Sequence, residues 1–191
     1  HLPTDIMTAA RAIVDGQPQH YDVGKFGNRY FSYVASFGMF SKVSYATPQS
    51  VKNALGHTAY VLSGIQELSQ LRTTHMRLEL DEEVIEDDFL FGAVSNSTSV
   101  GGILTLDPSV VDMQDGKFEL LLVRKPRDLI ELSECIQALQ SHKYNCKVIT
   151  FRSASHVQAD AGQMLSWTLD GEREDAEGTV DIKNIHHAIR L

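Results

Sequence analysis

From residue 74 to the end, apolar residues recur in short alternating runs separated by turn residues, the pattern of half-buried strands. Met76, Leu78 and Leu80 alternate with charged residues, Asp81-Glu82-Glu83 turns the chain, and residues 84–94 return. Residues 118–123, 148–153, 156–160, 164–169 and 179–191 read as further strands. Two more come earlier, 19–25 and 29–36, joined by Gly27-Asn28, a hairpin signal. In the second of these Tyr30, Ser32 and Val34 alternate with Phe31, Tyr33 and Ala35. Roughly nine short strands with few helices predict an α+β, predominantly β chain: an antiparallel sheet or β-sandwich with a few peripheral helices.

The helical segments sit at the margins of this pattern. Residues 4–15 read as an amphipathic helix with Thr4 or Asp5 as N-cap, an apolar face of Ile6, Ala9, Ala10 and Ile13, and Gly16 as the stop. Pro48 suits the first turn of a helix ending at Gly56. A stripe of Tyr60, Leu62, Ile65, Leu68 and Leu71 marks a helix over 58–71. A last one covers 129–139, capped by Asp128 or Arg127. The aromatic-rich stretch 37–47 reads as a loop. Phe26, Phe31, Tyr33, Phe37, Phe40 and Tyr45 read as core, some of them as lining for an apolar pocket. There is no repeat and no linker that would split the chain, so residues 1–191 read as one domain, cut from something longer.

Composition removes several function classes. A formal charge of −8 argues against a general nucleic-acid binder, which needs Lys and Arg to neutralise phosphates, and against a polybasic membrane patch. Lys42, Lys52, Arg124, Lys125 and Arg127 remain candidates for a local basic site. No run is long and apolar enough for a membrane helix, and no signal peptide opens the chain. Cys135 and Cys146 lack CxxC spacing and read as ordinary thiols of a cytoplasmic protein.

Two acidic turns carry the chemistry. The first, Asp112-Met113-Gln114-Asp115-Gly116, follows the loop of residues 94–108, which holds Asn96, Ser97 and the pair Gly101-Gly102. Carboxylates and converging carbonyls suit a hard divalent cation. Asp-Gly is equally a common hairpin corner. The second turn, Asp170-Gly171-Glu172, reads either as a hairpin tip or as the rim of a cleft with Glu172 as a general base. Gly101-Gly102 does not open a helix and is no dinucleotide fingerprint. Asn96 could donate to a ligand. His186 and His187 are adjacent in a strand and so are expected on opposite faces. Without an HExxH motif or a Cys/His set, the histidines point to no metal.

Six segments occur in one order: Asp-Val-Gly-Lys (22–25), Arg-Tyr-Phe-Ser-Tyr-Val-Ala-Ser-Phe-Gly (29–38), Val-Ser-Asn-Ser-Thr-Ser-Val-Gly-Gly (94–102), Leu-Asp-Pro (106–108), Gln-Asp-Gly-Lys-Phe-Glu-Leu (114–120) and Leu-Asp-Gly-Glu (169–172). Together they resemble the C-terminal domain of the bacterial diacylglycerol kinase-related lipid kinases, relatives of sphingosine kinases and NAD kinases. The resemblance implies a two-domain, ATP-dependent kinase with its active site between domains. The Gly-Gly-Asp-Gly-Thr motif that binds ATP in the other domain does not occur here, so the N-terminal ATP-binding domain would be absent and this chain alone inactive.

By the same resemblance Glu172 matches the base that takes the proton of the lipid hydroxyl. Asp115 matches an acidic ligand of a structural Mg2+, and Asp112 and Lys117 match backbone-carbonyl ligands of it. Catalytic Mg2+ and ATP would sit mainly on the missing domain. Asn96, Gly101 and Gly102 are candidate substrate contacts. Expected partners are the lipid, the N-terminal domain and a second copy in a homodimer, with transient contact at the membrane surface and no nucleic acid. The alternatives are an NAD kinase-like enzyme acting on another hydroxyl, and a non-catalytic β-sandwich that binds lipid or protein.

Overall fold

The structure, a computed structural model, describes residues 4–38, 72–100, 104–144 and 146–190. Among these are thirteen strands and two helices: α1 (Ile6–Asp15), β1 (His20–Phe26), β2 (Arg29–Phe31), β3 (Val34–Gly38), β4 (Thr74–Leu80), β5 (Val84–Ser95), β6 (Ser99–Val100), β7 (Leu104–Thr105), β8 (Phe118–Arg124), α2 (Leu129–Gln140), β9 (Ile149–Ala154), β10 (His156–Asp160), β11 (Leu165–Leu169), β12 (Glu172–Ala176) and β13 (Thr179–Arg190). The helices expected over 48–56 and 58–71 lie outside the described residues, as do Phe40 and Tyr45.

Eleven strands form one antiparallel sheet in the order β12-β11-β3-β5-β4-β10-β13-β1-β2, with β8 branching from β5 and β9 pairing β8; β6 and β7 form a separate ribbon. The twelve-residue β5 is the hub. Its first half pairs with β4, and its second half with β3 and β8.

The sheet curls. Phe26 of β1, near one end of the order, lies 5.0 Å from Trp167 of β11, near the other, in an edge-to-face pair. Phe31 of β2 stacks on Phe118 of β8 at 5.6 Å. Strands that far apart in hydrogen-bonding order can share a core only if the sheet folds back over itself, as right-handed twist favours. That main core also takes Met76 and Leu78 of β4, Leu120 and Leu122 of β8, Val157 of β10 and Ile182 of β13. Glycine is required where rings lie on the backbone: a Cβ at Gly24 would overlap the Phe31 ring, and one at Gly92 the Phe37 ring. The opposite face carries a second core in which Phe91, Leu121 and Val123 meet Cys135 and Ala138 of α2. Burial pushes the Cys135 thiol up to about 12, and both cysteines are free, so this thiol is packing rather than chemistry.

The predicted caps hold. Asp5 accepts the Thr8 N–H at 2.8 Å and Asp128, rather than Arg127, accepts that of Glu131 at 2.9 Å. No residue of α1 is buried, and of its expected apolar face only Ala9 is half-buried. Two expectations need correction. The strand expected over 29–36 is broken at Ser32-Tyr33, because the Asp170 carboxylate draws the N–H groups of Ser32, Tyr33 and Val34 out of any ladder. Tyr33, expected in the core, is therefore turned out and exposed.

Candidate active site

The hairpin of β11 and β12 closes on Asp170 (φ 49°) and Gly171 (φ 95°), the paired left-handed residues of a two-residue turn. Asp170 is the anchor. Its Oδ2 accepts from Ser32 N at 2.6 Å and its Oδ1 from Tyr33 N and Val34 N at 2.9 Å each, while its own N–H donates to Val34 O at 2.9 Å. Three charge-assisted bonds of this kind fix the tip against the β2–β3 corner. Glu172, the next residue after the tip, is thereby held out in solvent with its side chain 78% exposed. Its Oε2 is 3.1 Å from Arg29 Nη2, and Arg29 Nη1 is 3.1 Å from Glu174 Oε2.

The acidic turn is anchored in the opposite sense, by a carboxylate that it does not itself contain. Asp22 of β1 is 1% exposed. Its Oδ2 accepts from Gly116 N at 2.7 Å, its Oδ1 from His187 N at 2.7 Å, and its own N–H donates to Met113 O at 2.9 Å. The carboxylates of Asp112 and Asp115 make only local turns, accepting from Gln114 N at 3.0 Å and Lys117 N at 2.9 Å. Both are otherwise exposed. The Lys117 carbonyl accepts from Asn184 Nδ2 at 3.0 Å.

Asn96 joins the two regions. Its Nδ2 donates to Asp22 O at 2.8 Å and to Ser32 O at 3.3 Å, and its N–H to Tyr33 O at 2.7 Å. A continuous path of hydrogen bonds thus runs from the Asp170 tip through Ser32–Val34 and Asn96 to Asp22 and Gly116. Asn96 is buried, and its Oδ1 has no hydrogen-bond partner. Gly101 and Gly102 lie outside the described residues.

Sequence reasoning missed Glu119. It stands in β8 among Phe118, Leu120, Leu121 and Leu122 and is buried with Oε2 unpartnered. Burial, and then the charges of Asp115 and Asp112, push its carboxyl up to about 8. Two exposed carboxylates with this buried carboxyl beside them offer oxygen donors of a kind that fits a hard cation such as Mg2+. The signal available was a single Glu inside an otherwise apolar strand.

A third correction concerns His186 and His187. They do not point to opposite faces. The register between β1 and β13 slips between Tyr21 and Val23, His187 adopts φ 52°, and the two imidazoles stack with ring centroids 3.7 Å apart.

The model of the YegS C-terminal NAD kinase beta sandwich-like domain matches residues 33–190. The chain belongs to this family. A protein named diacylglycerol kinase from Staphylococcus saprophyticus is 33% identical over 174 residues, covering 90% of this chain and 56% of the relative. A Staphylococcus aureus protein of the same name is 34% identical over 175 residues, covering 90% and 54%. The chain thus spans about half the length of these curated relatives. The fold has counterparts among crystal structures. A diacylglycerol kinase from Bacillus anthracis superposes with a TM-score of 0.66 at 18% identity, covering 99% of this chain and 59% of that one. A second Bacillus anthracis structure, provisionally given the same name, reaches 0.70 at 23% identity, with 99% and 61% covered. The predominantly β, antiparallel architecture expected from the strand pattern is the architecture of these neighbours. No helix among the described residues is long and apolar enough to cross a membrane.

Proposed function

We propose that this chain is the lipid-binding, base-supplying part of an ATP-dependent lipid kinase that phosphorylates the hydroxyl of diacylglycerol or a related lipid. The observation that carries the reading is the Asp170-Gly171 tip. Three backbone N–H groups fix it, it presents the Glu172 carboxylate to solvent, and hydrogen bonds tie it to the acidic turn. The names of the Staphylococcus relatives support the choice of acceptor.

In this mechanism Glu172 accepts the hydroxyl proton of the lipid as that oxygen bonds to the γ-phosphorus and the bond to the β,γ-bridging oxygen breaks, leaving ADP. Arg29 holds the carboxylate in place before the lipid arrives. Mg2+ would be held by the Asp115 carboxylate and the Asp112 and Lys117 carbonyls, with Glu119 beneath, and would supply positive charge that stiffens the turn. Asn96, Gly101 and Gly102 would contact the lipid acceptor. ATP and the catalytic Mg2+ belong to an N-terminal domain, so the 191-residue chain alone transfers no phosphate. The enzyme works in the cytoplasm and touches the membrane surface transiently, alone or as a homodimer.

The test is transfer of labelled phosphate from ATP to diacylglycerol by the full-length parent, wild type beside Glu172→Gln, with Mg2+. We expect the variant to lose about two orders of magnitude or more while remaining folded. Equal labelling by both proteins would reduce Glu172 to a hairpin residue. Labelling of a nucleotide hydroxyl instead of lipid would move the enzyme to the NAD kinase-like class. Labelling of no hydroxyl acceptor would favour a non-catalytic lipid- or protein-binding role.

A further inference from the structure

The slip in β13 has a chemical consequence. Val23 pairs with Ile185 and Tyr21 with Ile189, so three residues of β13, 186–188, face the single residue Asp22. Such a bulge re-aims side chains, and here it does so through His187 at φ 52°, a conformation that non-glycine residues adopt at a cost and that clusters at functional sites. Both imidazoles are brought to the buried Asp22 carboxylate. His186 Nδ1 lies 3.0 Å from Asp22 Oδ1, and one ligand atom from each of Asp22, His186 and His187 falls within 4.8 Å of the others.

The bulge also delivers the His187 N–H to Asp22 Oδ1 at 2.7 Å, but neither that bond nor an ion pair between Asp22 and His186 requires the second imidazole. A metal ion would use both rings. Two ligand atoms 3.0 Å apart subtend about 90° at an ion bound at about 2.1 Å. The far oxygen of Asp22 is held by Gly116 N–H at 2.7 Å, the kind of outer contact that orients a ligating carboxylate. Both histidines are exposed on their outer side, leaving room for water to complete the coordination. The His20 ring, 5.3 Å from that of His187, adds a further imidazole at the rim.

We propose that Asp22, His186 and His187 form a binding site for a late first-row divalent ion of the Zn2+ type. Two imidazoles and one carboxylate suit such ions and not Mg2+, which prefers oxygen alone. The site is distinct from the Asp112–Lys117 turn, which offers only oxygen, but Gly116 links the two. A bound ion therefore clamps the end of β13 to β1 and to the acidic turn.

The test is calorimetric titration of the chelator-stripped chain with Zn2+, and with Co2+ followed by its visible d–d absorption. We expect one equivalent of either ion to bind, unaffected by millimolar Mg2+. The exposed double variant His186→Ala/His187→Ala, with folding checked by circular dichroism, should weaken binding at least about tenfold. His187→Ala alone should weaken it too, which an ion pair using only His186 does not require. Three outcomes overturn the proposal: no binding by the wild type, unchanged affinity in the double variant, or displacement by Mg2+ at comparable concentration.

Discussion

The two acidic turns look alike as strings of letters, since each sets an Asp before a Gly ahead of a strand, yet they are held in opposite ways. At residues 170–172 the turn's own Asp is the anchor, collecting three N–H groups from the β2–β3 corner and leaving Glu172 in solvent beside Arg29. At residues 112–117 the anchor is Asp22, on another strand, and the turn's own carboxylates are left outward beside the buried Glu119. One turn spends its Asp on structure and presents a single exposed carboxylate. The other receives its structure from outside and offers a group of oxygens. An acidic residue's role therefore depends on which backbone donors reach it first, not on the local motif.

The largest expected effect separates the two anchors. Asp22→Ala should destabilise the chain by about 3 kcal/mol, because the part-buried Gly116 and His187 N–H groups lose their buried acceptor. Asp170→Ala, at an exposed tip where water can replace the carboxylate, should cost about 2 kcal/mol or less. Denaturant unfolding of both variants checks the order, and a reversed order would break the contrast drawn between the turns.

A smaller, pH-dependent effect belongs to Glu119. Its carboxyl is raised from the ordinary 4.5 to about 8, so between these values the folded chain holds a proton that the unfolded chain has released. Stability should fall as pH rises through that window. Glu119→Gln should match wild type near pH 4.5 and become the more stable of the two by pH 8, as read from denaturation midpoints across the range. If Mg2+ occupies the turn, millimolar Mg2+ should narrow the gap by stabilising wild type more than the variant.

The smallest effect is at Arg29. Its pairs with Glu172 and Glu174 are largely exposed, so Arg29→Ala should change stability by less than about 1 kcal/mol. Transfer activity of the parent should fall by less than in Glu172→Gln. A loss as large as that of Glu172→Gln would mean that Arg29 contacts the reacting groups directly.

The local architecture was legible because it follows from local physics. Alternation located β4, β5, β8 and β13, capping chemistry located α1 and α2, and Gly27-Asn28 and Asp170-Gly171 located their hairpins. Each of these signals lies within a few residues of the structure it specifies. What escaped was set across the chain. The break at Ser32 comes from a carboxylate 138 residues away, and the bulge at His186 answers to Asp22, 164 residues distant. Nothing in the letters around Ser32 or His186 marks them as exceptions to regular strand alternation.

The amino-acid order therefore carried most of the strand and turn inventory, the predominantly β class and the two acidic turns. Folding assigned their tasks. Curling the sheet brought β1, β8 and β13 to one place, buried Asp22 and Glu119 there, and left Glu172, Asp112 and Asp115 in water. Burial and access to backbone donors are properties of the packed chain, and they are what separates an anchoring carboxylate from one left in solvent.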